Sequence, residues 1–404
     1  MEQAPALNAD AQGGGSEPEV PQTTVRAIIC VIISVGFFGL CYGYSLPVLS
    51  LIMERAQLSE TLIGLNTALS SVAVLVFGPF VPRLLGRFGL RAPIFASIIL
   101  GVAMIPPIAF TEPLYAWFPL RFVLGAVIFT ALIAADIWVT QGASARTRGR
   151  VVGFYSAAMA GGIVAGPNLI SVTGSEGLAP FYCAGGLLAA AIVPMLFAYG
   201  PVPSVARSHT PRLHSFVFSV PIAAISVFIF GFMNASLLSL LPIYGLRLGA
   251  SETRAATLVS LVMGGSVLLQ PFIGMVADKM PKSLVLGLLG GLGCGAAVLL
   301  PLCFEYTAVA YAALFVLGGS VAGLYAVSLA ILGDRFVGGA LAAAVTVYTM
   351  LTAGGATVGP VLSGAAMDQF RPDGFPASIA FAMLLVPLIG VISWFSGRTA
   401  RARP

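Results

Sequence analysis

The segment Phe122-Val123-Leu124-Gly125 recurs as Phe315-Val316-Leu317-Gly318, 193 residues further along a chain of 404 residues. Four other landmarks recur at spacings of 193 to 196 residues, close to half of the chain length. These are Gly161-Gly162-x3-Gly166-Pro167 with Gly354-Gly355-x3-Gly359-Pro360, Tyr155 with Tyr348, Pro47 with Pro242, and Gly78 with Gly274. A spacing shared by five landmarks indicates that the chain consists of two copies of one structural unit.

The composition predicts that both copies lie in a membrane. The chain is 58% hydrophobic and only 9% charged, and its mean hydropathy is +0.99. A soluble protein carries about a quarter charged residues, because its surface faces water. Helices that face lipid remove this requirement, since each helix satisfies its own backbone hydrogen bonds.

About twelve apolar stretches approach the roughly 20 residues that a helix needs to cross a bilayer. Their approximate spans are 27–51, 61–81, 92–111, 114–140, 151–173, 178–199, 215–243, 255–276, 283–303, 307–332, 340–366 and 375–396. The predicted fold class is therefore an all-α membrane protein with twelve transmembrane helices.

The distribution of Lys and Arg predicts the orientation of these helices. If the N-terminus is cytoplasmic, 15 of the 20 basic residues fall in inner segments, 4 fall in outer segments, and Arg121 lies within a helix. Basic residues prefer the cytoplasmic side of a membrane. We therefore expect both termini to be cytoplasmic.

Polar segments divide the chain into domains. Residues 1–25 are polar and rich in Gly, Ser and Pro, which predicts a disordered cytoplasmic tail. Residues 200–214 form the longest later polar interruption and predict a cytoplasmic linker. Six-helix bundles at 26–199 and 215–396, related by a pseudo-two-fold axis, and a tail at 397–404 complete the prediction. This two-bundle plan is typical of transporters.

The remaining residue types argue against several other classes of protein. No basic cluster is interleaved with aromatic residues, so we expect no nucleic-acid partner. The five cysteines fall in apolar spans without CxxC spacing, and no cluster of His, Cys and carboxylates predicts a metal. We expect no cofactor, no enzymatic activity and, without a nucleotide-binding P-loop, no ATP-driven pump.

Four stretches resemble a known family across nearly the whole chain. They are 241–252 (LPIYGLRLGASE), 274–279 (GMVADK), Arg121-Phe-Val-Leu-Gly125 continuing through Asp136 to Arg148-Gly-Arg150, and 324–336 (LYAVSLAILGDRF). By them the sequence resembles a bacterial major facilitator superfamily transporter, and within that superfamily the YcaD-like group. The resemblance implies the major facilitator fold and the bacterial inner membrane, and it identifies no substrate.

The resemblance implies a conformational latch between the halves. The family's loop motif G-x3-D-[RK] is present at Gly274, Asp278 and Lys279, but Pro82 stands where the first copy needs its acid. We expect Asp278 to face the start of helix 5 near Arg148 or Arg150, where the helix dipole and the basic side chains favour a carboxylate. The alternative is that Asp278, Lys279 and Lys282 are solvated charges that only set topology.

Two charged residues within helix 4 are candidates for proton coupling. Arg121, followed by Gly125, resembles the family motif linked to coupling in antiporters; alternatively, it snorkels to the outer interface. Asp136 has only apolar neighbours in sequence, so burial penalises its charged form and allows it to bind and release a proton. Alternatively, Asp136 pairs with Arg146 or Arg148 in a structural role.

Gly162-x3-Gly166-Pro167 resembles the antiporter motif, and Gly355-x3-Gly359-Pro360 is its second copy. Glycine lets helices approach closely and proline bends them, so both copies are predicted helix pivots. The resemblance implies a cavity lined mainly by helices 1, 4, 7 and 10, supported by 2, 5, 8 and 11. The predicted cavity residues are Tyr42, Tyr44, Asn66, Asn168, Asn234, Gln270, Tyr325 and Tyr348. Each could instead make a helix–helix hydrogen bond.

The predicted function is that of a secondary active transporter. We expect a monomer surrounded by membrane lipid that moves a small neutral or amphipathic substrate by rocking-type alternating access, coupled to protons and in the export direction. A passive facilitator is one alternative and would not need Asp136 to titrate. A non-transporting membrane sensor or assembly partner is another.

Overall fold

The computed structural model describes residues 25–111, 116–144, 147–202, 220–303, 306–336, 338–370 and 372–401. Within these ranges, the side chains of residues 148–149, 303, 338–343 and 391–401 are not described. The predicted tail at 1–25 and linker at 200–214 therefore lie almost wholly outside the described residues. The described chain is built from helices.

The first half contributes six membrane helices. They are α1 (Val25–Arg55), α2 (Glu60–Phe77), α3 (Arg91–Phe110), α4 (Trp117–Gly142), α5 (Arg148–Ala165 with its continuation to Thr173) and α6 (Ala179–Leu196). A short helix, Val81–Phe88, lies between α2 and α3. It forms because Gly78-Pro79 ends α2 earlier than the predicted span 61–81, and Pro82 suits a first helical turn.

The second half contributes the remaining six helices. They are α7 (Pro221–Arg247), α8 (Glu252–Lys279), α9 (Lys282–Cys303), α10 (Thr307–Arg335), α11 (Gly338–Gln369) and α12 (Gly374–Arg401). Among the described residues, eleven helices are long and apolar enough to cross a membrane, and α12 contains a shorter apolar segment, Gly374–Gly390. The predicted all-α, twelve-helix fold class is confirmed.

The helices of the two halves pack in the same order. In the first half α1 contacts α5 and α6, α2 contacts α4, and α3 contacts α4. In the second half α7 contacts α11 and α12, α8 contacts α10, and α9 contacts α10. The sequence repeat is therefore a structural repeat of six helices.

Glycine at repeated positions brings helix backbones into contact within each half. A Cβ on Gly125 would lie 2.6 Å from the Ser70 Cα, and a Cβ on its counterpart Gly318 would lie 1.9 Å from the Val262 carbonyl oxygen. The segment that defines the repeat thus packs α4 against α2 and α10 against α8. Such close approach suits helix association in lipid, where packing replaces the hydrophobic effect.

The four predicted pivot glycines pack in the same manner. A Cβ on Gly162 or Gly166 would lie 2.5 Å from the backbone of α1. A Cβ on Gly355 or Gly359 would lie 1.9 and 2.4 Å, respectively, from carbonyl oxygens of α7. Pro167 lies in a 3₁₀ turn that interrupts α5, and Pro360 lies inside α11. Whether these contacts act as pivots stays a prediction.

Contacts between the halves involve α2 with α11, α5 with α8, and α1 with α7. At the α2–α11 junction, a Cβ on Gly64 would lie 2.0 Å from the Pro360 carbonyl oxygen. A Cβ on Gly364 would lie 2.2 Å from the Glu60 carbonyl oxygen. The start of α2 and the end of α11 are thus joined backbone to backbone.

Adjacent glycines on α5 allow a matched test of this packing. We expect Gly162→Ala to destabilise the protein by about 1–3 kcal/mol, the usual cost of overpacking, because its Cβ would overlap α1. Gly161→Ala places its Cβ where no atom lies within 4 Å and favours the helix by up to about 1 kcal/mol. Thermal unfolding in detergent measures both, and equal effects would contradict the packing described.

Candidate functional site

Charged and polar residues gather where α1 and α7 end and where α2 and α8 begin. This region, the bridged face, carries a cluster drawn from both halves of the chain. From the first half come Glu54, Arg55, Glu60, Thr61 and Glu176; from the second come Arg247, Glu252 and Asp368. These residues lie in segments that the Lys and Arg distribution predicts to be extracytoplasmic.

Two ion pairs cross between the halves in reciprocal directions. Arg55 at the end of α1 binds Glu252 at the start of α8. Arg247 at the end of α7 binds Glu60 at the start of α2, with Nη2 2.9 Å from Oε1. The residues correspond in the repeat, because Arg55 precedes Arg247, and Glu60 precedes Glu252, by 192 residues. One interaction is therefore made twice, once in each direction.

Each pair is extended by a carboxylate from the first half. Arg247 also contacts Glu54, with its Nη2 2.8 Å from Oε1, and Arg55 also contacts Glu176. The Glu176 side chain is 79% exposed, whereas that of Glu60 is 1% exposed. Solvent screens the exposed Arg55–Glu176 pair and weakens it. The contact between Arg247 and the buried Glu60 therefore fixes the relative position of the two halves more closely.

Asp368, near the end of α11, caps α2 across the boundary between the halves. Its Oδ1 accepts the Glu60 backbone N–H at 3.0 Å, and its Oδ2 accepts the Thr61 backbone N–H at 2.9 Å. The Thr61 hydroxyl also donates to Oδ2. The free N–H groups and dipole at a helix N-terminus favour a carboxylate, so Asp368 stabilises the contact between α2 and α11.

Sequence reasoning interpreted these basic residues only as topology signals and missed the cluster. The signal was nevertheless present, because Arg55-x3-Ser59-Glu60-Thr61 recurs as Arg247-x3-Ser251-Glu252-Thr253. In both copies the serine caps the helix, accepting a backbone N–H at 3.3 Å. The cap places each glutamate in the first helical turn, facing the opposite half.

Asp136 lies on α4 at a second junction between the halves. Its side chain is exposed, although its neighbours Ala135 and Trp138 are buried. The Tyr155 hydroxyl on α5 interacts with its carboxylate. Tyr325 on α10, in the other half, interacts electrostatically with it. We call these three residues the Asp136 junction.

Only one of the two phenols of the Asp136 junction was predicted as a site residue from the sequence. Tyr325 is a predicted cavity residue, and its ring packs against Phe230 with centroids 4.9 Å apart. Tyr155 was known from sequence only as the repeat partner of Tyr348. Arg146 and the Arg148 side chain, the alternative partners of Asp136, lie outside the described residues.

Arg121 is buried inside the first half, at 6% exposure. It lies near Cys41 and Tyr42 of α1 and lines a small cavity of about 30 Å³ with them. Its Nε has no hydrogen-bond partner in the described part of the chain. A snorkelling side chain would be exposed, so the structure does not fit that alternative.

The other predicted cavity residues are dispersed. Tyr44 is fully buried and its hydroxyl shares a 2.8 Å hydrogen bond with Thr173. Asn66 and Tyr348 are buried, and neither the Asn66 Nδ2 nor the Tyr348 hydroxyl has a partner among the described residues. Asn168 and Gln270 are exposed, and Asn234 is half-buried. The structure brings Tyr42 together with Arg121, and Tyr325 with Asp136.

The predicted latch residues lie on the face opposite the bridged face. Asp278, Lys279 and Arg150 are exposed, and among the described side chains no ion pair joins Asp278 to Arg150. Lys282 instead binds Asp334 within the second half. The described residues also hold no group of three His, Cys, Asp or Glu side chains suited to a metal. The latch stays a prediction.

Comparisons with known proteins agree with this architecture. The model of the Major Facilitator Superfamily matches residues 31–318 and 223–404. The uncharacterized MFS-type transporter YfkF of Bacillus subtilis (strain 168) is 26% identical over 354 residues, covering 84% of this chain and 88% of that protein. The uncharacterized MFS-type transporter YcaD of Shigella flexneri is 24% identical over 308 residues, covering 75% and 79%. The resemblance to the YcaD-like group is thereby confirmed.

A solved structure shares the fold. The crystal structure of a D-xylose–proton symporter superposes with a TM-score of 0.67 at 18% identity, covering 90% of this chain and 96% of that one.

The Tyr44–Thr173 contact predicts a packing role for Tyr44. We expect Tyr44→Phe and Thr173→Val each to lower stability, and a double-mutant cycle to give a coupling of about 0.6 kcal/mol, typical of membrane hydrogen bonds. Denaturant titration in mixed micelles measures the cycle. Tyr325→Phe, combined with Thr173→Val, is the control and should show no coupling. Zero coupling for Tyr44 would contradict the assignment.

Proposed function

This chain belongs to the major facilitator superfamily, and we propose that it is a secondary active transporter that couples substrate movement to protons. Its relatives are membrane transporters. The proposed mechanism is rocking-type alternating access, in which two rigid halves expose one cavity to each side of the membrane in turn.

The Asp136 junction is the observation that supports proton coupling. A carboxyl group inside a membrane helix is expensive and marks a functional path when it faces a cavity or partners. Asp136 is exposed, and it interacts with the phenols of Tyr155 in its own half and Tyr325 in the other half. The relative position of the two halves then determines from which side of the membrane a proton can reach Asp136. Arg121, buried on the same helix, is proposed to assist from within the first half.

The chemistry of the predicted cavity residues supports a neutral or amphipathic substrate. Their polar groups are phenols and amides, and the Asp136 junction adds one carboxyl. Such groups provide hydrogen bonds to uncharged polar atoms, and the apolar surroundings suit an apolar body. A multiply charged substrate would lack the basic side chains it needs.

Export is supported by the antiporter-like motif at Gly162-x3-Gly166-Pro167. We further propose that the protein acts as a monomer in the bacterial inner membrane, in contact with lipid and with both termini in the cytoplasm. The bridged face is then extracytoplasmic, and the Asp278 face is cytoplasmic. In this arrangement the structure corresponds to a state joined at its outer side.

Asp136→Asn tests the coupling. In proteoliposomes with an imposed proton gradient, we expect the wild-type protein to move protons when a transported molecule is added. Asp136→Asn should abolish this movement, because an amide cannot exchange a proton. Intravesicular pH during a screen of small neutral and amphipathic molecules measures the effect.

Asp136→Glu is the matched control, because it retains a carboxyl group and should preserve part of the coupled movement. Circular dichroism and elution volume confirm that each variant folds. Substrate flux without proton movement, unchanged in Asp136→Asn, would instead show a passive facilitator. Function that persists after the halves are cross-linked would show a non-transporting sensor.

Asp278→Asn tests the proposed latch. The latch would join the halves at the cytoplasmic face while the outer face is open, so its loss should shift the protein toward the state described here and slow transport. Asp334→Asn is the control, because Asp334 pairs with Lys282 inside one half. Distances between spin labels on the two halves report the shift, and equal behaviour of both variants would refute the latch.

A further inference from the structure

The two reciprocal bridges at the bridged face have different surroundings. In one, Glu252 accepts the Ser175 hydroxyl at 2.8 Å as well as Arg55. In the other, Glu60 binds Arg247 through its side chain and Asp368 through its backbone N–H. Ser175 and Asp368 correspond in the repeat, 193 residues apart. A hydroxyl in one copy is thus a carboxyl in the other, so Glu60 has a carboxyl beside it where Glu252 has a hydroxyl.

Glu60, whose side chain is 1% exposed, donates its backbone N–H to Asp368 Oδ1 at 3.0 Å, so the two carboxyl groups belong to one buried junction. An ionised carboxylate can only accept hydrogen bonds, so a bond between two carboxyls needs a proton on one of them. Asp368 already accepts three donors from Glu60 N, Thr61 N and the Thr61 hydroxyl. This set favours an ionised Asp368, so a proton held between the two carboxyls would belong to Glu60.

The charges around the pair lead to the same assignment. Arg247 on α7 faces Glu60 and also binds Glu54 on α1. Arg55 is engaged by Glu176 and Glu252. Beyond α11, Asp373 interacts with Tyr244 of α7, and Arg371 lies outside the described residues. Glu54 and Glu60 therefore share the Arg247 guanidinium. Asp368 adds a third carboxyl to the same junction, and binding one proton relieves the repulsion among the three.

We infer that Glu60 and Asp368 form a proton-binding pair that makes the bridged face a pH-sensitive gate. The inference rests on the alternating access proposed above, and it assigns a proton site separate from Asp136. Glu60 contributes the proton, and Asp368 contributes the acceptor and the cap on α2. Because the two residues lie in opposite halves, the shared hydrogen bond exists only while this face is joined.

The sign of the pH effect follows from proton counting. The joined state holds one proton that the separated state, with both carboxylates in water, releases at neutral pH. Joining is therefore favoured as pH falls and lost as pH rises. For one linked proton, the ratio of separated to joined molecules rises by up to tenfold per pH unit across the transition.

Spin-label distances across the bridged face test this gate. Labels at Thr111→Cys and Tyr306→Cys, both exposed and on opposite halves, are placed in a chain whose five native cysteines are replaced. Distance distributions are recorded in lipid nanodiscs without substrate between pH 5 and 9. We expect a long-distance population that grows with pH.

Glu60→Gln distinguishes a proton site from an ordinary ion pair. Its amide imitates the protonated acid, donating to Asp368 and accepting from Arg247, so the gate should stay joined at every pH. If Glu60 acts only as a charged partner of Arg247, this variant should separate the halves. Glu252→Gln is the matched control at the symmetry-related bridge. It should increase separation while keeping the pH dependence of the wild type.

Two results would overturn the inference. One is a wild-type distance distribution that does not change with pH, and the other is a Glu60→Gln variant that opens. Either result leaves the proposed transporter intact if proteoliposomes still show coupled movement that Asp136→Asn abolishes. A chain that shows one distance under all conditions and moves no substrate would instead refute the proposed function itself.

Discussion

The close contact of helix backbones at glycine is the constraint on which the rest of this structure depends. In lipid, apolar side chains gain nothing by leaving one apolar surface for another, so packing and polar contacts hold helices together. Gly125 and Gly318 supply such contacts at the repeated segment, and Gly162 and Gly355 supply them beside α1 and α7. Each half is thereby tied together from within, and the surfaces between the halves remain as the place for movement.

Several polar residues reach across those surfaces. Arg55 and Arg247 each bind a glutamate of the other half. Asp136 on α4 interacts with Tyr155 of α5 and with Tyr325 of α10 in the other half. The two copies have also diverged. Pro82 replaces the acid that Asp278 supplies in the second copy, and Ser175 stands where that copy has Asp368. The two halves therefore share one arrangement of helices but differ in which of them carries the acidic side chains.

The fold could be predicted from the sequence, because membrane helices are defined by length and apolarity and the repeat fixes their grouping. The rotation of each helix about its axis could not. In a soluble helix one apolar stripe marks the inner face, whereas here most faces are apolar. Tyr44 was therefore expected in the cavity but is buried with Thr173, and the burial of Arg121 against α1 was equally undetermined. The Arg247–Glu60 bridge joins distant segments and was found only once the halves were positioned.

The close packing of α2 against α11 matters for the ion gradients that a cell maintains across its membrane. At Gly64 and Gly364 the helices meet with no side chain between them, and even a methyl group would overlap the opposing backbone. Such a seam leaves no room for a file of water molecules, along which protons and small ions would run down their gradients. A membrane protein that separates its halves with every cycle must reseal without packing errors. A contact between main chains involves no side-chain rotamers, so α2 and α11 return to the same packing in each cycle and exclude water and ions again.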